Sequence, residues 1–257
     1  TSVTERGQIA KVLSDIEAAH PKVIGMDCVF EGEGEDMEGN NAIVEVAEQY
    51  KNIVFAKKLQ DWKDDSLGYT KATRSFFADF VDITEGTVNM PRLLYDNMKR
   101  KYPLAERYKG KQFPSFIAQI SNRYADRDLV KGRTDDININ FSPTAFRVLQ
   151  PEEVKAHPEL IEGQIVLFGS VYEEVDMHWT PVGKIAGVEL LAYSIQSLVE
   201  QKEIHKVSGA AFWIISLLIV LLIEVMQSCY LDKTKHSPNE FVRYVASSPY
   251  VMNILTY

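Results

Sequence analysis

The sequence VIGMDCVF occupies Val23 to Phe30 and is almost entirely apolar. A short continuous apolar run is typical of a strand that is covered on both faces, as in a parallel sheet. Apolar residues recur at helical spacing from Ile9 to Ala19, before this run. A second helix is predicted at Ile43 to Ala47 and a second strand at Ile53 to Ala56. This strand-loop-helix-strand order predicts a right-handed parallel crossover.

The second half of the chain repeats the pattern. QIVLFGSV, from Gln164 to Val171, predicts another buried strand, and a loop to Gly187 leads into a long helix over Val188 to Val199. The basic stretch from Lys99 to Lys111 is interpreted as a solvated loop or helix face. We therefore predict an α/β fold with a mostly parallel sheet, helices on both of its faces and a C-terminal transmembrane helix.

Seventeen residues without a charge, VSGAAFWIISLLIVLLI, lie between Lys206 and Glu224. A membrane helix needs about 20 residues, with about 17 as the lower limit, and Val225 and Met226 extend the apolar stretch. A buried core helix is the alternative, but core helices are rarely apolar on every side. We therefore predict a membrane span. A further hydrophobic stretch, which begins at residue 249, predicts the start of a second one.

The composition limits the functions that need to be considered. Hydrophobic residues make up 46% and charged residues 25% of the chain, which is typical of a folded domain. The net charge of -8 argues against a nucleic-acid partner, because phosphate backbones need a concentrated basic face. No GxGxxG, Walker A, HExxH or paired CxxC motif occurs in the sequence. We therefore expect neither a cofactor nor a catalytic site.

Acidic residues cluster at the end of the first predicted strand. Asp27 lies within the strand and Asp36 in the loop that follows, with three glutamates between them. Ligands of open parallel sheets gather beyond the carboxyl ends of strands, and such a cluster can bind a hard cation through oxygen atoms. It lacks the spacing of a calcium loop, so a solvated acidic loop is the alternative. Asp27 and Asp36 are candidate ligand-binding residues, with no metal assigned.

A similar polar group follows the second buried strand. Asp176, His178 and Thr180 come just past its carboxyl end, and Gly169 allows a close backbone approach there. Asp and His two residues apart can orient a ligand or share a metal. The alternative is structural, in which they bond each other and cap a loop. These four residues complete the set of candidate ligand-binding residues.

The chain resembles the CHASE2 family of extracytoplasmic sensor domains in three places. HPKVIGMDCVF follows an amphipathic helix and leads through acidic residues to NNAIVEVAEQYKNIVFA. Phe-Pro-Ser-Phe begins a helix at Phe113. From Ile161 onwards, EGQIVLFGSV is followed by VDMHWTPVG, by GVELLAYSIQSLVEQ and directly by the apolar segment. The resemblance extends over almost the whole chain up to Met226.

The resemblance implies a ligand-sensing domain of a membrane-anchored bacterial signal-transduction receptor. Residues 1–205 would form a periplasmic or extracellular sensor domain, and residues 206–226 a helix in the inner membrane. Residues 227–257 would form a short loop and the start of a second membrane helix. The expected partners are an unidentified small molecule, the membrane and, by family analogy, a second copy of the chain.

Two other functions remain open from the residues themselves. One is a membrane-anchored structural or interaction protein, and the other is a hydrolase that uses Asp27, Asp176 and His178. For a sensor, the exit helix from Val188 to Gln201 runs towards the span with only Lys202 to Lys206 between, without Pro or a Gly-rich hinge. We therefore expect a rigid helical connection that carries a signal into the membrane.

Overall fold

The structure is a computed structural model that describes residues 5–91, 96–142, 146–171, 176–205 and 208–247. The chain divides into two compact units, Thr1–Ile204 and His205–Tyr257. The described α-helices are α1 (Arg6–Glu17), α2 (Met37–Gln49), α3 (Phe116–Ala125), α4 (Gly187–Val199), α5 (Gly209–Lys235) and α6 (Glu240–Ser247). The described strands are β1 (Val23–Met26), β2 (Ile53–Asp64), β3 (Gly68–Thr73), β4 (Thr84–Thr87), β5 (Lys101–Pro103), β6 (Ala105–Tyr108), β7 (Lys111–Pro114), β8 (Asp136–Asn138), β9 (Ile165–Phe168), β10 (Met177–Thr180) and β11 (Gly183–Ala186).

The first unit is built on a mixed sheet with a parallel centre. Its strand order is β7-β6-β3-β2-β1-β9, and β4 pairs with the first part of β2. Strand β1 is parallel to both β2 and β9, with Gly25 opposite Val54 and Leu167. The second part of β2 pairs with β3, which runs antiparallel to it. The predicted parallel crossover and the α/β class are confirmed, and the sheet extends into antiparallel strands on one side.

Helices cover both faces of this sheet, because β1 and β2 alternate apolar side chains between two cores. On one face Val54 and Ala56 pack with Phe116 of α3 and with residues of α4. On the other face Ile24 and Ile53 pack with residues of α1 and α2. Each face is therefore closed by a helix pair, and the polar edges of the sheet are left as the places for a ligand.

Two stretches that the sequence indicated as loops are strands. The basic stretch from Lys99 to Lys111 forms β5, β6 and the start of β7, with the buried side chain of Tyr102 facing inward. A tight turn at Lys109 and Gly110, both with positive φ, joins β6 to β7. The expected loop before Gly187 contains the hairpin β10–β11. Both interpretations were wrong because these strands are only three or four residues long, and most of their side chains are not fully buried, so the sequence carries little apolar pattern there.

The exit helix is shorter than expected. Helix α4 ends at Val199, and Gln201 adopts a left-handed φ of 54°. The N–H of Lys202 donates to the carbonyl oxygen of Ser197 at 3.0 Å, which closes the helix end. Residues 202–205 have no helical structure. The connection out of the domain is therefore not a continuous helix.

The second unit contains a long apolar helix. Residues Gly209–Thr234 of α5 have a mean hydropathy of 2.5 over the best window, and that window is not buried. At about 1.5 Å per residue the helix is long enough to cross a hydrocarbon core of about 30 Å. It continues past Met226 to Lys235, and α6 follows within the stretch that the sequence indicated as a loop. The start of a second span, predicted from residue 249, lies outside the described residues.

Candidate ligand-binding site

The carboxyl ends of the adjacent parallel strands β1 and β9 bring Asp27 and Gly169 together. The N–H of Asp27, which directly follows β1, donates to the carbonyl oxygen of Phe168 at 2.8 Å. A Cβ on Gly169 would lie 3.4 Å from the Cβ of Asp27 and 3.1 Å from a methyl carbon of Val188. Glycine therefore lets α4 approach this edge, which is where open parallel sheets bind ligands.

Asp176 and His178 lie at the start of the β10–β11 hairpin. His178 Nε2 is 2.9 Å from Asp176 Oδ1. The N–H of Gly187, the first residue of α4, donates to the carbonyl oxygen of Asp176 at 2.8 Å. A Cβ on Gly187 would overlap the Asp176 carboxylate. The carboxylate therefore lies against the N-terminus of α4, whose partial positive charge stabilises an anion.

The two carboxyl groups have pKa values that are shifted in opposite directions. Burial, with a smaller contribution from the charge of Asp176, raises the pKa of Asp27 to about 7, and His178 opposes this rise. The pKa of Asp176 is lowered, first by its hydrogen bond with His178, while burial opposes that shift. The charges of His178 and Lys58 lower the pKa of Asp176 further. Such divergence between neighbouring carboxyl groups is typical of functional sites.

Tyr102 is a fully buried residue near these charges. Its hydroxyl group has no hydrogen-bond partner among the residues that the structure describes. Burial raises the pKa of Tyr102 well above its usual value, and the charges of Asp27, Glu106 and Asp176 act in the same direction. A buried polar group without a partner costs about 1–3 kcal/mol, so a bound polar molecule that bonds this hydroxyl would recover that cost.

The sequence did not identify Tyr102 or Lys58 as site residues. Tyr102 lies in the basic stretch that was interpreted as solvated, and Lys58 lies just beyond the predicted end of the second strand. The short apolar run Tyr102-Pro103-Leu104, all of it buried, within this basic stretch is the signal that could have indicated a segment packed in the fold.

Asp36 and Thr180 have local structural roles. Asp36 is the N-cap of α2, where its Oδ1 accepts from the N–H of Gly39 at 2.8 Å. The Thr180 hydroxyl donates to the carbonyl oxygen of Gly183 at 2.7 Å across the turn of the hairpin. Each side chain thus satisfies a backbone group of its own segment, as caps and turns require.

The acidic loop between β1 and α2 is held by Arg6. Its guanidinium group bonds the side chain of Asn40 and donates to the carbonyl oxygens of Glu31 and Gly32 at 3.2 and 2.9 Å. Within the described ranges, the structure brings no three His, Cys, Asp or Glu side chains into an arrangement that fits a metal ion. The contacts of Arg6 join this loop to the starts of α1 and α2.

A cleft of about 250 Å³ lies at the opposite edge of the sheet, near the amino ends of β2 and β4. Its cationic residues are engaged locally, since Lys51 donates to the carbonyl oxygen of Asp82 and Arg123 to the Thr84 hydroxyl. The candidate residues do not line this cleft. The carboxyl edge, where the candidate residues lie, is therefore the better candidate site.

A mixed α/β domain with a polar edge, joined to a helix that can cross a membrane, is typical of the sensory part of a membrane receptor. The family model described as CHASE2 domain matches residues 2–223. The chain belongs to the CHASE2 domain family, which comprises sensor domains of signal-transduction receptors. No curated protein and no solved structure matches the chain.

Proposed function

We propose that the chain is the ligand-sensing domain of a membrane-anchored bacterial signal-transduction receptor. In this proposal residues 1–205 form a periplasmic or extracellular sensor, and residues 206–226 cross the inner membrane. Residues 227–257 form a short loop and the start of a second membrane helix. Family membership and the apolar helix α5 support this assignment.

The ligand is proposed to bind at the carboxyl edge of β1 and β9, in contact with Asp27, Gly169, Asp176 and His178. The observation that carries this proposal is the shifted pair of carboxyl groups, with the pKa of Asp27 raised to about 7 beside an Asp176 that stays ionised. Asp27 is half-buried, and an ionised carboxyl group that is largely removed from water is costly without a partner. Its position at the edge where parallel sheets bind ligands supports a binding role.

The chemistry of the site favours a small polar molecule with a donor and an acceptor. A protonated amine or another donor would stabilise the ionised form of Asp27, which burial disfavours. An acceptor on the same molecule would satisfy the Tyr102 hydroxyl, which has no partner among the described residues. Binding of a ligand that offers both groups would offset two unfavourable free energies, that of ionising Asp27 and that of leaving the Tyr102 hydroxyl without a hydrogen bond.

A thermal-shift screen of small polar amines, on the full chain in detergent, tests the proposed site. For any compound that stabilises the protein, Asp27→Asn and Asp176→Asn are expected to abolish the shift. The matched control is Asp36→Asn, since asparagine keeps the N-cap acceptor of α2 and should leave binding unchanged. Loss of binding in Asp36→Asn alone would place the ligand in the acidic loop and contradict the proposed site.

The signal is proposed to leave the domain through α4 and the residues that follow it. Helix α4 begins at the Asp176 carboxylate and ends five residues before Ile204, the last residue of the first unit. A Gly-Ser insertion at Lys202 should separate ligand binding from the receptor's output. Unchanged output would show that the signal does not depend on this connection.

A homodimer is also proposed, from the family alone. Sedimentation of the full chain in detergent is expected to give twice the monomer mass of 29.2 kDa. A single species at the monomer mass across the concentration range would rule out a stable dimer.

A further inference from the structure

The residues that leave the sensor domain lie along strand β8. We call residues 202–204 the strap. The N–H of Ile204 donates to the carbonyl oxygen of Asn138 at 3.2 Å, and the side-chain amide of Asn140 donates to the carbonyl oxygen of Lys202 at 3.0 Å. These bonds join the strap to a segment more than sixty residues earlier in the chain. The strap is therefore part of the fold of the domain.

A charged clamp holds the centre of the strap. Arg133 donates from two nitrogens to both carboxylate oxygens of Glu203, at 2.8 and 3.0 Å. The same guanidinium group also bonds Asp135 at 3.1 Å, just before β8. The Glu203 side chain is only 14% exposed, and a two-point arginine–carboxylate pair has a well-defined geometry. Glu203 is therefore fixed in position rather than free in solvent.

Backbone hydrogen bonds connect the strap with the candidate site. In the hairpin, the carbonyl oxygen of Trp179, next to His178, accepts from the N–H of Lys99 at 2.7 Å. The carbonyl oxygen of the next residue, Arg100, accepts from the N–H of Ile139 at 2.9 Å, and the adjacent strands β5 and β8 pair with each other. The N–H of Ile204 then bonds the neighbouring Asn138. A displacement of the hairpin would thus be passed through β5 and β8 to the strap.

Helix α4 reaches the same place by a second route. Its first residue donates to the carbonyl oxygen of Asp176. Near its end, the Ser197 hydroxyl oxygen accepts from the N–H of Asn140 at 2.9 Å. Asn140 also bonds the strap, so both routes from the site meet at residues 202–204.

We propose that the strap, clamped by Arg133, couples the candidate site to the segment that enters the membrane, and that it opens when the site is perturbed. This inference rests on the proposed function for its meaning, since a sensor needs a connection between site and membrane. In this proposal the signal passes through a segment whose hydrogen bonds and ion pair can form and break, and not through a continuous rigid helix.

Amide hydrogen exchange of Lys202 and Ile204, in the full chain in detergent, tests the clamp. Arg133→Gln and, independently, Glu203→Gln are expected to speed exchange of both amides about two- to fivefold, because each removes the clamp. The matched control is Arg127→Gln in the same loop, since Arg127 is exposed and forms no ion pair with the residues that the structure describes. Unchanged exchange in both clamp variants would overturn the proposal.

The coupling is tested by adding Asp176→Asn, which removes the carboxylate charge beside His178. In the wild-type background this change should speed exchange at the strap, while the amides of β1 stay protected. In the Arg133→Gln background it should add little, because the strap is already open. Coupling through the strap would be refuted if Asp176→Asn sped exchange at the strap equally in both backgrounds. It would also be refuted if the amides of β1 exchanged faster as well.

This experiment uses no ligand, so its result is separate from that of the binding screen. If Asp176→Asn speeds exchange at the strap but the screen finds no compound, the inference is sustained and the proposed function is left unsupported. A compound that binds while the strap stays unresponsive would sustain the site and overturn the inference.

Discussion

Replacing Asp27 with asparagine should stabilise the protein at alkaline pH and change little at acidic pH. Burial raises the pKa of Asp27 from an ordinary value of 3.8 to about 7. The folded state therefore holds this proton more tightly than the unfolded state does. The stability that the proton provides is fully present below about pH 4 and is lost as the pH rises through about 7.

The size of the effect follows from the shift in pKa. About three units, at about 1.4 kcal/mol each, give an upper limit of about 4 kcal/mol at pH 8.5. Asparagine removes the buried charge while keeping the shape of the side chain. We expect a gain of about 2–4 kcal/mol, or about 5–15 °C in melting temperature for a unit of this size.

Thermal unfolding of the full chain in detergent, followed by near-ultraviolet circular dichroism from about pH 4 to 8.5, measures this difference. The gap between Asp27→Asn and wild type should open between about pH 4 and 7 and stay constant above that. Asp36→Asn, which keeps a cap acceptor, should show a small gap that does not vary with pH. A constant loss of stability in Asp27→Asn at every pH would refute the buried, proton-holding carboxyl group.

Three further changes test other parts of the structure. Gly187→Ala places a methyl group on the Asp176 carboxylate, so it should cost about 1–3 kcal/mol in urea unfolding and weaken any ligand found. Glu85→Gln leaves the buried Lys57 ammonium without its anion, and should cost about 3–5 kcal/mol in the same assay. Leu218→Arg in α5 should release a large share of the protein from membranes in alkaline extraction, since a central arginine costs about 2.5–3.5 kcal/mol.

Each of these has a control in the same chain. Gly7→Ala in α1 meets only an ordinary contact at 3.8 Å and should be neutral or stabilising. Asp61→Asn breaks a shorter ion pair, with Lys71 at 2.6 Å, but both side chains are more than half exposed, so the change should stay below about 1 kcal/mol. Leu218→Ala should keep the protein in the membrane. Equal losses in variant and control would contradict the corresponding argument.

The fold could be predicted where apolar pattern alone decides it. Strands β1 and β9 are continuous apolar runs, which are typical of covered strands in a parallel sheet. Strand β1 is buried throughout, whereas β9, at the end of the strand order, is half-buried. The strands β5, β6 and β7 could not be found in this way, because they are three or four residues long and contain no continuous apolar run. The turn at Lys109-Gly110 did offer a local signal, since glycine favours the positive φ of a tight hairpin.

The end of α4 could not be predicted from its own residues. Gln201 is neither Gly nor Pro, yet it adopts the left-handed conformation that ends the helix. The partners that fix the following residues, Arg133 and Asn140, lie about sixty to seventy residues earlier. Such long-range contacts override the local preference for helix. For the same reason the pairing of Asp176 with α4 became visible only in the fold.

The energies at the site and at the strap differ in a way that suits a sensor. A ligand that neutralises the buried charge of Asp27 has up to about 4 kcal/mol available, which shifts an equilibrium by roughly 10³-fold. The Arg133–Glu203 clamp is partly exposed, and such pairs contribute about 1 kcal/mol or less. The free energy available from ligand binding at Asp27 is therefore several times larger than the free energy needed to break the Arg133–Glu203 clamp. By thermodynamic linkage the coupling is reciprocal, so opening the strap shifts the equilibrium at the site by the same coupling free energy, about 1 kcal/mol or less.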